Sequence, residues 1–229
     1  MPWEVVKRKE ARRRSKRPFI SITPSHFFFN SQFVTETELD PDSMRVVIYA
    51  DAERRRLGFE FVTDGRKDSY ALSFMASRRR KSQRKTIQCT ARGIVGMYRW
   101  VRAVTKLSVG DRRFEPTKEE KLWVIQLPPA FEYSELRAFG NEIPSDAKGI
   151  YRYLNEEEEV IFIGKGEIQE DLVSAYRGGK GAWDIVKVEY SPLEDSEQQD
   201  KWVRYWLDRH EEEYKRLPKY NHPRIKRPW

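Results

Sequence analysis

Residues 149–164 read GIYRYLNEEEEVIFIG. Two apolar runs flank a polar connection around Asn155 to Glu158, which is the pattern of two β-strands joined by a turn. A helix-like segment that ends near Tyr176 and a long helix from about Glu197 follow this stretch. The sequence therefore predicts a β-hairpin followed by helices in the C-terminal part of the chain.

The hairpin carries a pair of triplets, Gly149-Ile150-Tyr151 and Phe162-Ile163-Gly164, separated by ten residues. Gly164-Lys165-Gly166 and then Leu217-Pro218-Lys219-Tyr220-Asn221 come after them. In this order, the motifs resemble the signature of the GIY-YIG endonuclease superfamily. The resemblance covers residues 145–222, about a third of the chain. It implies a small antiparallel sheet flanked by helices.

The resemblance also implies metal-dependent cleavage of DNA, with Mg²⁺ or Mn²⁺ as the cofactor if the protein is active. Water attacks the phosphodiester, so a base must accept a proton, a metal must neutralise charge and cations must hold the phosphate. By position in the motifs, Tyr151 corresponds to the general base or its assistant, and Asn221 to the closing asparagine that supports the site. Lys165, directly after the second motif, is a candidate phosphate contact.

Two positions of the expected site depart from the family pattern. Phe162 keeps an aromatic ring but lacks the hydroxyl of the family tyrosine, so it can neither donate a hydrogen bond nor share a proton. The family arginine that binds phosphate falls at Asp171 or Leu172, and an aspartate there would repel the phosphate. Arg177, a few residues further on, is the candidate substitute.

The expected metal ligand is also altered. The family glutamate corresponds to Gln199, a neutral and weak ligand for a hard divalent cation. Gln199 has a structural alternative, since Ser196 and Gln199 have the spacing of a capping box at a helix start. Glu197 is the candidate metal ligand in its place, and Asp200 is a second carboxylate nearby.

Charge is distributed unevenly along the 229 residues. The formal net charge is +8, yet residues 1–147 hold 29 basic and 19 acidic side chains, whereas residues 148–229 hold 15 and 17. From Ser69 to Gly110 there is no acidic residue. An acid-free basic stretch favours contact with phosphates and release of their counterions. The candidate nucleic-acid-binding residues in it are Arg78, Arg79, Arg80, Lys81, Arg84, Lys85, Arg92, Arg99, Arg102 and Lys106.

The N-terminal half has the pattern of short strands. Residues 19–34 predict two strands or a strand and a turn, and residues 45–62 predict a hairpin. Phe27, Phe28 and Phe29 fit either core packing or a platform on which bases stack, and core packing is favoured. Residues 91–107 have helical spacing with a basic stripe of Arg92, Arg99, Arg102 and Lys106, which suits either a phosphate backbone or solvent.

These patterns predict an α+β chain with five parts. They are a basic arm (1–18), a β-rich nucleic-acid-binding domain (19–115), a linker (116–144), a GIY-YIG-like domain (145–222) and a basic tail (223–229). No apolar run is long enough for a membrane helix and no signal-peptide core follows the basic start, so we expect a cytoplasmic protein with no membrane partner. The single Cys89 excludes an internal disulfide, and we expect it to be buried.

The sequence thus favours a DNA-binding protein whose GIY-YIG-like domain has doubtful cleavage activity, with double-stranded DNA as the partner. One alternative is an active, divergent metal-dependent endonuclease of the restriction, mobile-element or repair type. It would use Tyr151, Lys165, Arg177 and Glu197 in altered positions. The other alternative is an RNA-binding or protein-interaction subunit.

Overall fold

The computed structural model describes residues 17–75, 86–136, 142–177 and 184–221. Within these ranges the protein has an α+β fold with three antiparallel sheets and five helices. The strands are β1 (Ile20–Ile22), β2 (His26–Phe29), β3 (Arg45–Asp51), β4 (Arg56–Val62), β5 (Tyr70–Ala71), β6 (Ser73–Phe74), β7 (Ile87–Thr90), β8 (Arg113–Phe114), β9 (Thr117–Glu119), β10 (Leu122–Gln126), β11 (Tyr133–Leu136), β12 (Lys148–Leu154), β13 (Val160–Glu167) and β14 (Lys187–Pro192). The helices are α1 (Ser31–Glu36), α2 (Arg92–Met97), α3 (Arg99–Val104), α4 (Ile168–Arg177) and α5 (Ser196–Tyr214). None of these helices is both long and apolar enough to cross a membrane.

The N-terminal sheet has the strand order β6-β7-β2-β1-β8. The predicted strands in residues 19–34 are confirmed as β1 and β2, which pair antiparallel. Alternate side chains of each strand, including Ile20, Ile22, Phe27 and Phe29, are completely buried on one face. Alternation along a strand leaves the intervening side chains on the opposite face.

The middle sheet has the strand order β5-β3-β4-β10-β9. The predicted hairpin in residues 45–62 is confirmed as β3 and β4, which pair from Arg45 opposite Val62 to Asp51 opposite Arg56. Phe59 of β4 meets the rings of Phe27 and Phe29 edge to face, with ring centroids 5.3 and 5.6 Å apart. The two sheets therefore share one aromatic core.

The C-terminal sheet has the strand order β11-β14-β12-β13. The hairpin predicted in residues 149–164 is confirmed as β12 and β13, and β13 continues to Glu167. Ile168 and Leu172 of α4 are buried on one face of this sheet in a small core of their own. Residues of α5, among them Trp202 and Trp206, lie on the other face and join the core of the N-terminal and middle sheets.

The segment predicted as a linker, residues 116–144, carries three strands. β10 pairs with β4 in the middle sheet, and β11 pairs with β14 in the C-terminal sheet. Between them, the Pro129 carbonyl accepts a 2.8 Å hydrogen bond from the Trp206 indole. Proline and glycine predict loops, whereas strand pairing connects this segment to both the middle and the C-terminal sheet.

The prediction of a single helix over residues 91–107 is wrong, because two short helices, α2 and α3, occupy this segment. Tyr98 adopts an extended conformation (φ −109°, ψ 111°) between α2 and α3. Gly93 and Gly96 lower the helix propensity just before this break. The basic stripe is therefore interrupted after Arg92.

Candidate nucleic-acid interface and cleavage centre

The two motif triplets lie side by side on paired strands. Tyr151 of β12 is directly opposite Gly164 of β13. The rings of Tyr151, Tyr153 and Phe162 form a stack on the face of the sheet that α4 covers, with centroid distances of 5.1 Å for the two tyrosines and 5.5 Å from Tyr153 to Phe162. Phe162 therefore packs as an aromatic ring.

Tyr151 forms a hydrogen bond with a carboxylate of α4. Its hydroxyl donates to Asp171 Oδ2 over 3.0 Å, and the side chain is only 4 % exposed. Burial, followed by the nearby Tyr153 and Asp171, raises the pKa of Tyr151 far above its ordinary value. Burial also raises the pKa of Asp171. At neutral pH, Tyr151 is a neutral hydrogen-bond donor rather than a base.

Two motif glycines make room for this pair. A Cβ atom on Gly164 would lie 2.5 Å from the Phe162 ring and 2.7 Å from the Tyr151 hydroxyl. Gly166 has φ +125° and a Cβ there would lie 2.9 Å from Asp171 Oδ2. Any larger residue would therefore displace Tyr151 or Asp171, and at Gly166 it would also strain the backbone.

Lys165 lies on the other face of the C-terminal sheet. It pairs with Ile150, the neighbour of Tyr151, and side chains of adjacent residues in a strand point to opposite faces. Lys165 Nζ donates to Asp200 Oδ2 of α5 over 2.6 Å. Lys165 and Tyr151 therefore lie on opposite faces of the sheet, and the role of Lys165 as a phosphate contact stays a prediction.

The candidate metal ligands do not converge. Glu197 is exposed in the first turn of α5, and Asp200 pairs with Lys165. Gln199 is buried, and its amide donates to the Leu193 carbonyl over 2.5 Å. Among the described residues, no group of three or more His, Cys, Asp or Glu side chains is arranged to hold a metal ion. Mg²⁺ is commonly held by only one or two carboxylates together with waters and substrate phosphates, so the expectation of a metal at Glu197 stays a prediction.

The prediction of a capping box formed by Ser196 and Gln199 at the start of α5 is also wrong. The N-cap is Asp195, whose carboxylate accepts a 2.9 Å hydrogen bond from the Gln198 backbone. Ser196 is therefore the first residue of the helix, whereas a helix capped by Ser196 would begin one residue later. The Gln199 side chain instead binds the chain that leads into the helix.

Asn221 stabilises the edge of the C-terminal sheet. Its amide accepts from the Ile163 backbone N–H over 2.9 Å and donates to the Ile163 carbonyl over 2.8 Å. The Tyr220 N–H donates to the Ile161 carbonyl over 2.9 Å. These bonds continue the ladder along β13 and protect the edge strand. Arg177 ends α4, and its side chain lies outside the described residues.

The predicted nucleic-acid-binding residues fall into two groups. Those in residues 76–85 lie outside the described residues; they are Arg78, Arg79, Arg80, Lys81, Arg84 and Lys85. Arg92, Arg99, Arg102 and Lys106 are exposed on and after α2 and α3. The Arg99 guanidinium lies over the Tyr133 ring, 4.6 Å from its centroid. Arg99 therefore contacts an aromatic ring of β11 as well as solvent.

One further surface contains Phe28, the middle one of the three phenylalanines for which the sequence favoured core packing over base stacking. The outer face of the N-terminal sheet carries a row of side chains, one from each strand, at directly paired positions. In spatial order they are Ser73, Gln88, Phe28, Ser21 and Arg113. The alternation of buried and partly exposed residues in His26–Phe29 is the signal that separates Phe28 from its two neighbours.

Asn30 fixes the chain at the border of this face. Its side-chain oxygen accepts hydrogen bonds from the backbone of Phe19 (2.9 Å) and Phe33 (3.0 Å), and its amide donates to the Arg17 carbonyl (3.0 Å). The Arg113 guanidinium lies over the Phe19 ring at 5.1 Å. Arg17 and Phe19, at the start of the described residues, therefore lie next to the row that ends in Arg113.

Comparisons of the chain with protein-family models, with curated proteins and with solved structures found no match.

Proposed function

We propose that this protein binds DNA and that its C-terminal sheet is a GIY-YIG-like domain that has lost cleavage activity. The observation that carries the proposal is the hydrogen bond from Tyr151 to Asp171, on the face of the sheet opposite Lys165. It combines the expected tyrosine with a carboxylate where a phosphate-binding arginine is expected.

The arrangement of the motifs supports the family resemblance. The two triplets lie on paired antiparallel strands, α4 follows the second strand directly, and the closing Asn221 is bonded to that same strand. The glycines at Gly164 and Gly166 have close contacts that explain why the motifs need them. Such agreement between motif and local geometry supports a shared fold, and it leaves activity to be argued from the site.

The chemistry of the site argues against cleavage. Hydrolysis needs a base, charge stabilisation and phosphate-binding cations that all act on one phosphodiester. Tyr151 is held protonated by burial and by Asp171, whose charge repels a phosphate. Lys165 and Glu197 belong to the side of the sheet where α5 packs. These groups do not act on a single phosphate.

The distribution of charge supports DNA binding. The basic excess lies in residues 1–147, outside the C-terminal domain, and residues 69–110 contain no carboxylate. Arg92, Arg102 and Lys106 are exposed in the described part of that stretch. Lysine and arginine without neighbouring carboxylates bind phosphates through charge and counterion release.

Binding to a fluorescent DNA duplex over a range of salt concentrations tests the proposal. We expect tight binding at low salt, with a logarithm of affinity that falls linearly with the logarithm of salt concentration. Replacing Arg78, Arg79, Arg80 and Lys81 by Gln should reduce the slope by about 0.9 for each phosphate that the variant no longer neutralises. The matched control, Lys201→Gln with Arg204→Gln on α5, should leave it unchanged. Absence of binding at low salt would refute the proposed function.

A further inference from the structure

The outer face of the N-terminal sheet carries the partly exposed ring of Phe28 next to polar and basic side chains. Phe27 and Phe29 are fully buried in the core, so β2 directs Phe28 to the opposite face, where it is only partly buried. Phe28 has the imidazole of His26 beside it, with ring centroids 5.8 Å apart. A partly exposed ring on this face can contact a ligand.

The neighbours of Phe28 are suited to an anionic ligand. In the row across the five strands, Ser21 and Gln88 flank Phe28, and Arg113 and Ser73 lie at the two ends. The row contains no carboxylate. Hydroxyl, amide and guanidinium groups donate hydrogen bonds to phosphate oxygens and to the edges of bases.

A groove of about 260 Å³ runs beside Phe28. Its apolar lining comes from Phe19, Phe28, Met75 and Val109, and its basic lining from Arg112 and Arg113. Drug-sized ligands occupy pockets of roughly 300 to 1,000 Å³, so this groove suits a smaller planar group such as one base. Among the described residues, the buried Arg112 Nε has no hydrogen-bond partner, and Arg112 Nη1 donates to the Thr105 carbonyl over 3.2 Å, which holds this guanidinium beside the groove.

The groove contains the described residues that border two basic segments of the sequence. The Met75 N–H donates to the Thr86 carbonyl over 2.9 Å, so the residues before and after 76–85 lie side by side. Both residues line the groove. Phe19, just after the basic residues 1–18, also lines it. The groove residues Phe19, Met75 and Thr86 thus directly adjoin, in sequence, the segments 1–18 and 76–85 that carry basic residues. This placement favours a polyanionic ligand.

We infer that the outer face of the N-terminal sheet binds single-stranded nucleic acid, with one unstacked base on the Phe28 ring. This inference rests on the proposed function, because it states which form of nucleic acid, a single strand, the basic N-terminal part of the chain binds. In a duplex the faces of the bases are covered by their neighbours, whereas an unstacked base of a single strand presents a free face to an aromatic ring. Arg112 and Arg113 bind the adjoining phosphates.

Fluorescence anisotropy with labelled 20-nucleotide single strands and the matching duplex tests the inference on the full chain. We expect Phe28→Ala to weaken single-strand binding by about 5- to 150-fold, the usual range when one stacked base is released, and to change duplex binding little. Phe28→Trp should retain single-strand affinity. Parallel DNA and RNA strands of the same sequence establish which sugar is preferred.

Phe74→Ala is the matched control. Phe74 is an exposed phenylalanine of the same sheet, but it pairs with Ile87 and lies on the face opposite Phe28. This variant should bind single strands like the unchanged protein, and circular dichroism should give both variants the same spectrum. Photocrosslinking of a strand that carries 5-iodopyrimidines should label the peptide that contains Phe28.

Three results would overturn the inference. They are equal single-strand affinity in Phe28→Ala and Phe74→Ala, an equal decrease of single-strand and duplex affinity in Phe28→Ala, or a crosslink confined to other peptides. In each of them the unchanged protein still binds duplex, so the proposed function stands. Absence of binding to every nucleic acid at low salt would refute the proposed function as well.

Discussion

The Tyr151 hydroxyl donates a 3.0 Å hydrogen bond to the Asp171 carboxylate and so joins β12 to α4. Asp171 lies near the position where the resemblance to GIY-YIG enzymes expects an arginine. A carboxylate there reverses the sign of the charge offered to a phosphate. The same hydrogen bond holds the hydroxyl proton that a general base would have to lack.

The first prediction concerns the pH dependence of stability. Burial raises the pKa of Asp171, so the folded protein holds this proton more tightly than the unfolded chain does. The stabilisation from protonation is fully present below the ordinary aspartate pKa of about 3.9 and is lost as the pH rises through the folded value. Asp171→Asn has no charge to bury and should become more stable relative to the unchanged protein as the pH rises from below that ordinary value to neutrality.

Urea unfolding at several pH values measures this difference. Asp146→Asn, on an exposed turn, is the control and should show no such trend. A relative stability of Asp171→Asn that falls with increasing pH would mean that the fold stabilises the charged carboxylate.

The second prediction concerns the edge of the C-terminal sheet. Asn221→Ala removes two hydrogen bonds to the buried Ile163 backbone and leaves that N–H and carbonyl without their partners. An unsatisfied buried group costs about 1 to 3 kcal/mol, so we expect the free energy of unfolding to fall by about 2 to 4 kcal/mol. Lys219→Ala, two residues away on the surface, should change it by less than about 1 kcal/mol. Equal values for the two variants in urea unfolding would contradict the structural role of Asn221.

The third prediction concerns the buried ion pair between Arg55 and Glu132, which joins the middle and C-terminal sheets. Arg55 also donates to the Pro192 carbonyl of β14 over 2.8 Å. Arg55→Met leaves a buried carboxylate alone and should lower the free energy of unfolding by about 3 to 5 kcal/mol. Combining it with Glu132→Leu should restore part of that stability.

The adjacent Arg56 supplies the control. Its side chain is 26 % exposed and pairs with Asp51 and Glu119 at the surface, so Arg56→Met should lower the free energy of unfolding by about 1 kcal/mol or less. Comparable decreases for Arg55→Met and Arg56→Met would show that the connection between the sheets contributes little to stability.

The sequence predicted the features that depend on neighbouring residues. Alternating apolar residues identified the hairpin at 45–62, and two apolar runs around a polar connection identified the one at 149–164. The expected burial of Cys89 is confirmed, since it is only 2 % exposed. The position of Lys165 depends on which helix covers which face of the sheet. No local pattern contains that information, so the sequence alone does not show that Lys165 and Tyr151 lie on opposite faces.

Two further features depended on tertiary contacts. The break at Tyr98 divides a segment whose apolar spacing is fully helical, and the ring packs near Trp100 at a centroid distance of 5.8 Å. The exposed side of Phe28 became visible only when strand pairing fixed the faces of the N-terminal sheet. Within a run of three phenylalanines, the sequence alone does not distinguish the outward ring.

The most direct test of the central claim, DNA binding without cleavage, is incubation of the protein with supercoiled plasmid and Mg²⁺ or Mn²⁺. One half of each sample is run as a native gel shift and the other half is deproteinised before electrophoresis. The account predicts a salt-sensitive shift in the first gel and intact supercoiled plasmid in the second. Metal-dependent nicking that disappears in Tyr151→Phe would contradict it.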